Sequence, residues 1–80
     1  MKAITTKFHG PTNTRGSRYS AEDADKNRIV VHSQGRDSDK EHQAAAEALC
    51  QKMGWHGYLY GGWIKGGMAW VFADTYQFTA

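Results

Sequence analysis

Four histidines, one cysteine and eight carboxylates are the residues in this 80-residue chain able to do acid–base, nucleophilic or metal chemistry. His9, His32, His42 and His56 are scattered, and neither C-x2-C nor H-x3-H occurs. The paired spacing of zinc sites is therefore missing, and no metal or cofactor is expected. Cys50 falls on the apolar side of a helical stretch, where a free thiol packs as a small, inert hydrophobe. A nucleophile would need a base beside it and an electropositive, partly exposed setting. Asp23, Asp25, Asp37, Asp39, Glu41 and Glu47 sit in turns and around a helix start, where acidic residues serve capping, and no two are placed as an acid–base pair. Gly61-Gly62 and Gly66-Gly67 lack the Gly-Lys-Ser/Thr of a phosphate loop. The expectation is a protein that is not an enzyme. The competing enzyme reading would rest on His42 or Cys50 in a homodimer.

Binding chemistry has two candidate surfaces. One is the loop from His9 to Ser17 and the start of the next strand, with Arg15 and Arg18, joined by Lys7, Arg28 and Arg36. Guanidinium forks match phosphate or carboxylate. Against this stands an ordinary solvated loop with surface arginines, which contribute little energy. The other is the aromatic set Trp55, Tyr58, Tyr60, Trp63, Trp70 and Tyr76. Strand alternation forbids all of these from lying under a single helix. Those left exposed would mark a protein interface or a base-stacking platform. The contact candidates are Arg15, Arg18, Tyr58, Tyr60 and Trp63.

The elements that must position these residues are legible. Ser38 to Met53 is the one strong helix signal, with Gly54 and Trp55 after it. Ser38 and Glu41 fit a capping box. Asp39 and Glu41 at the start and Lys52 at the end suit the helix dipole. Gly54 can take the left-handed position after the last turn, with Trp55 folding back. His42, Ala45, Ala46, Leu49, Cys50 and Met53 share one mostly small face that can lie close to a sheet. His42 reads as a helix residue near the sheet edge, and His56 as a solvated turn residue.

Residues 2–8 read as strand one, 18–24 as strand two, with Tyr19 and Ala21 on one side and Arg18, Ser20 and Glu22 on the other. Asp25-Lys26-Asn27 is a turn, and 28–33 is strand three. Strand four runs over 57–64, and strand five over 68–73. Lys65-Gly66-Gly67 between them suggests a type I′ hairpin, with positive φ at both glycines. Residues 74–80 read either as a continuation of the last strand or as a flexible tail. The result is one α+β domain over 1–80, ordered β-β-β-α-β-β, with an antiparallel five-stranded sheet and one helix on one face. The expected core is Ile4, Phe8, Ile29, Val31, Leu49, Met53, Leu59 and either the Trp70 or the Val71 face of the last strand.

Length and composition bound the rest. A chain this short buries only about 60% of its unfolded surface, and its ten aromatic side chains compensate. One cysteine excludes an internal disulfide and fits a reducing, cytoplasmic setting. No apolar run spans a membrane, and residues 1–8 lack the apolar region of a signal peptide. Ten basic against eight acidic residues give a net charge of +2, too mild to imply nucleic acid.

Met1-Lys-Ala-Ile-Thr-Thr-Lys-Phe8, Gly10-Pro-Thr-Asn-Thr-Arg-Gly-Ser-Arg18, Ala44-Ala-Ala-Glu-Ala-Leu49 and Met53-Gly-Trp55 look like small proteins of phages, plasmids and other mobile elements, over the chain up to about Asp74. The size, the strands, the Ala-rich helix ending in an aromatic and the last hairpin are also similar to some type I anti-CRISPR proteins. That resemblance implies a non-enzymatic inhibitor, monomer or homodimer, that binds a subunit of a host CRISPR–Cas effector. It would block target DNA binding or nuclease recruitment. It assigns no functional residues. A small nucleic-acid-binding accessory protein is the alternative, with sheet aromatics stacking on bases and arginines meeting phosphates.

Overall fold

The computed structural model describes residues 3–13 and 16–73. Arg15, Tyr76, Phe78 and the 74–80 tail lie outside them. Six elements follow in the expected order: β1 (Ala3–His9), β2 (Arg18–Asp23), β3 (Arg28–His32), α1 (Ser38–Met53), β4 (Leu59–Ile64) and β5 (Gly67–Phe72). The five strands make one antiparallel sheet in the order β3-β2-β1-β5-β4, which is the α+β fold expected. β1 lies at the centre because β5 returns to its free side after the helix crosses the sheet.

The helix packs over β1, β2 and β3. Ala45, Ala46 and Leu49 are fully buried beneath it, and the alanines let the helix axis approach the sheet closely. Ile4, Tyr19, Ala21, Met68 and Trp70 meet them from the sheet, with Ile29, Val31, Met53, Leu59 and Phe72 around the margin. The Trp70 side of β5 is therefore the core side. Phe8, expected in the core, is 52% exposed. It sits near the outer end of β1, with its ring 5.2 Å from that of Tyr19.

The ends of α1 divide between expectation and correction. Its C-terminus is a Schellman motif: Gly54 is left-handed, its N–H donates to the Gln51 carbonyl, and the Trp55 N–H donates to the Cys50 carbonyl at 2.9 Å. The N-terminal capping box is absent. Asp37 is the N-cap and makes no side-chain cap, so Ser38 is already the first helical residue. Glu41 turns its carboxylate instead to the loop between β3 and α1. It accepts from the Gln34 N–H at 3.1 Å and from Arg36 Nε at 2.7 Å.

The β4–β5 turn also differs. Gly67 pairs with Ile64 inside the ladder, and the loop is Lys65-Gly66. Gly66 alone has positive φ there, the signature of a type II rather than a type I′ turn. Gly67 is required by packing: a Cβ on it would overlap the Thr6 carbonyl of β1. The β2–β3 turn is held by Asp23, whose Oδ1 accepts from the Asp25 and Asn27 N–H groups at 3.0 and 2.9 Å. Lys26 takes the left-handed conformation within it.

Candidate functional site

Strand alternation divides the sheet into a helix-covered face and a bare one. Ile4, Thr6, Tyr19, Ala21, Met68 and Trp70 face the helix. Their alternates, Thr5, Lys7, His9, Arg18, Ser20, Glu22, Arg28, Val30 and His32, share the bare face of β1, β2 and β3. Register arranges them in cross-strand rows. His9, Arg18 and His32 form one row, Lys7, Ser20 and Val30 the next, and Thr5, Glu22 and Arg28 the third. Directly opposite residues bring their Cβ atoms to about 5 Å, so this corner concentrates three permanent cations and two imidazoles. Glu22 is the one carboxylate that register places among these strand residues, and it meets Arg28 at 3.5 Å. His9 Nε2 is hydrogen-bonded to Ser20 Oγ at 2.9 Å. The Arg18 Nε is covered and meets no acceptor among the described residues. A shallow depression of about 280 Å³ opens here, lined by Lys7, His9, Ser20, Glu22 and Arg28 among others.

The sequence-derived contact residues do not form one surface. Arg18 lies in the basic corner, while Arg36 is on the helix side, held by Glu41. Tyr60 is on the bare face but on β4, three strands away from Arg18 at the opposite end of the sheet. Trp63 points to the helix side, its ring 5.4 Å from that of His42. Tyr58 precedes β4 and is 83% exposed beside a groove lined by Gln43, Glu47, Leu59 and Trp70. Lys7, Arg28 and the histidines His9 and His32 are what gather around Arg18. The Lys7 and Arg28 contributions were legible as charges, whereas their shared row structure depends on which strand lies beside which.

The second polar cluster is buried. Thr6 Oγ1 accepts from Trp70 Nε1 at 3.1 Å and is 2.8 Å from His42 Nδ1. The Thr6 hydroxyl also reaches the Met68 carbonyl at 3.4 Å. The His42 ring is 5.0 Å from Tyr19 and edge-on to both Tyr19 and Trp63. His42 is 2% exposed, so it is a central residue rather than the sheet-edge residue expected. Its burial pushes the imidazole below the usual histidine range. That favours the neutral ring, which serves a packed hydrogen-bond network.

These geometries do not assemble catalytic machinery from His42 and Cys50. Both face the sheet from α1, but eight residues apart they are separated by about 12 Å along the helix. Burial, with the Glu47 carboxylate adding to it, pushes the Cys50 thiol up and keeps it protonated. Burial alone would raise the Glu41 carboxyl, yet hydrogen bonds from Arg36, Ser33 and the Gln34 backbone, with the Arg36 charge, hold it below the usual range. It is thus a buried paired carboxylate that pins a loop. Among the described residues, no three His, Cys, Asp or Glu side chains converge as metal ligands, and no helix is long and apolar enough to cross a membrane. Comparison of the chain with protein-family models, with curated proteins and with solved structures finds no match.

Proposed function

We propose that the protein acts by binding rather than by catalysis, and that its working surface is the bare face of the sheet at the Lys7–Arg18–Arg28 corner. The observation that carries this reading is the clustering of three permanent cations and two imidazoles on a face the helix leaves uncovered, where Glu22 is the one carboxylate among these strand residues and Asp23 borders the same depression. Such a surface suits an anionic partner. Following the resemblance, that partner is an acidic surface on the effector complex of a type I CRISPR–Cas system, and binding blocks DNA capture or nuclease recruitment.

The nucleic-acid alternative draws on the same cations but loses its stacking platform. Among the described strand residues, Tyr60 is the one aromatic that register puts on the bare face, and it stands at the corner away from Arg18. The test is co-elution with purified type I effector complexes, with and without target duplex, at ~0.15 M salt, where surface charges more than about 8 Å apart are largely screened. The expected result is a stoichiometric complex that excludes the duplex and is lost in Arg18→Glu. A protein that co-elutes with no effector overturns the inhibitor reading. A shift of free duplex whose affinity falls log-linearly with salt would replace it with the nucleic-acid reading.

A further inference from the structure

The outer edge of β4 lacks the charges and prolines that normally stop sheet edges from pairing, and no described strand covers it. It reads Leu-Tyr-Gly-Gly-Trp-Ile, without a charge or a proline. Edge strands are usually guarded by lysine, proline, a bulge or a covering element. The other edge strand, β3, begins with Arg28 and ends with His32. Tyr58, Tyr60, Trp63 and Ile64, most of the exposed large hydrophobic residues described, lie in β4 or immediately before it.

The ladder shows which backbone groups this edge offers. The Ala73 N–H donates to the Tyr58 carbonyl at 2.7 Å, and the register runs on from Leu59–Phe72 to Ile64–Gly67. Hydrogen-bonded and non-hydrogen-bonded pairs alternate in an antiparallel ladder. Tyr58, Tyr60, Gly62 and Ile64 are therefore bonded to β5. Leu59, Gly61 and Trp63 aim their N–H and C=O groups at the free edge, which no described strand occupies.

We propose that β4 pairs antiparallel with β4 of a second copy, about a two-fold axis through Gly61 perpendicular to the sheet. Gly61 then faces Gly61 of the other copy, and Leu59 faces Trp63, so that each outward-aimed residue meets an outward-aimed residue. The ladder supplies about six main-chain hydrogen bonds. On the bare face, Tyr60 falls opposite Gly62, beside which there is open space for a ring. Aromatic side chains over cross-strand glycines stabilise such pairs. Both helices lie on one side of the joined sheet. Moving the axis to Gly62 would set Leu59 against the turn residue Lys65, and moving it to Tyr60 would set Trp63 against Gly57, outside the strand. A one-residue slip would set each outward-aimed residue against one already bonded to β5, so no ladder could form.

Light scattering during size exclusion of the full chain, over about a hundredfold range of concentration, tests the assembly. The expected mass is twice the 9.0 kDa of one chain at high concentration. The register is tested by the Tyr60→Cys, Gly62→Cys double variant in a Cys50→Ala background. Its cysteines would occupy a non-hydrogen-bonded pair with Cα atoms about 4.5 Å apart, within disulfide range, and oxidation should link the two copies. Tyr60→Cys alone places its diagonal partners about 7–8 Å apart and should link poorly. Trp63→Pro removes one outward N–H from each copy and spares the β5 ladder, and Tyr60→Lys brings two like charges together. Each is expected to shift the folded protein to monomer, with the fold checked by circular dichroism. A monomer throughout the range, or a dimer that persists in Tyr60→Lys and fails to cross-link in the double variant, overturns the proposal.

Discussion

One hydroxyl, that of Thr6, serves three groups that the fold has removed from water. The Trp70 indole N–H, the His42 imidazole and the Met68 carbonyl converge on it. Replacing it by an isosteric methyl leaves the cavity filled but strands buried polar atoms, each at a cost of about 1–3 kcal/mol. Thr6→Val is therefore expected to destabilise by about 3 kcal/mol, a fall in Tm of roughly 10–20 °C for a domain of this size. Thr6→Ser, which keeps the oxygen, should cost about 1 kcal/mol or less. Thermal melts of the two variants check this, and equal losses would dismiss the hydroxyl's role. His42 makes the same cluster sensitive to pH. Its folded-state pKa lies below that of the unfolded chain, so as pH falls the unfolded state takes up the proton first. The stability it confers is whole above about pH 6.5 and is lost as pH falls from there towards the folded value. Glu41 acts in a more acidic window, because its lowered pKa confers stability that is lost as pH falls through the folded value, below 4.5. Chemical denaturation at about pH 7.5 and pH 5.5 should show a weaker fold at the lower pH, with a smaller difference in His42→Gln. An undiminished difference in that variant would assign the effect to other groups.

At the scale of elements, the β4–β5 hairpin contains four glycines, and the three that lie in its strands have three different surroundings. A Cβ on Gly67 would overlap the Thr6 carbonyl in the neighbouring strand, and a Cβ on Gly61 would sit 2.5 Å from the Trp70 ring. Around Gly62 there is open space, and its φ is not positive. Alanine should separate them. Gly67→Ala meets backbone, which cannot swing aside, and is expected to cost about 3 kcal/mol or more; Gly61→Ala should cost about 2 kcal/mol as the indole shifts. Gly62→Ala should be neutral or stabilising by about 0.5 kcal/mol in the monomer, at low protein concentration, since it lowers the entropy of the unfolded chain. Denaturant midpoints measure all three, and a uniform response would refute this division. Close approach to a neighbouring strand is what Gly61 and Gly67 serve. Which glycines do so could not be read from the chain, because the clashing atoms belong to β1 and to the facing residue of β5.

For the whole molecule, the decisive fact is that one helix cannot cover five strands on both sides. The described residues extend 45 × 28 × 20 Å, a slab of two layers, and one sheet face is left bare. Arg18 and Lys7 lie in adjacent rows of that face. If it meets an anionic partner, Lys7→Glu with Arg18→Glu should weaken binding by tenfold or more, about 1.4 kcal/mol, with little change in Tm, because both side chains stand outside the core. Binding titrations at two salt concentrations, paired with melts, test this. Full affinity in the double variant would exclude the face.

The element order, the single helix with its glycine-terminated C-terminus, and the alternation within each strand were determined by the sequence alone. They rest on local physics: periodicity, cap geometry and the φ freedom of glycine. Ile4 and Leu49 were recognisable as core for the same reason. Only the tertiary structure decided what depended on residues distant in the chain. Met68 and Trp70 became the buried side of β5 because β5 docks on β1 in the register that sets Ile4 against Trp70. Phe8, next to last in β1, was left half exposed. Glu41 abandoned the helix cap because Arg36 and the Gln34 backbone offered its carboxylate more. His42 went to the centre because Thr6, thirty-six residues earlier, waited there with an oxygen. The basic corner arose in the same way: charges spread from Lys7 to Arg28 become one surface once β1, β2 and β3 lie side by side.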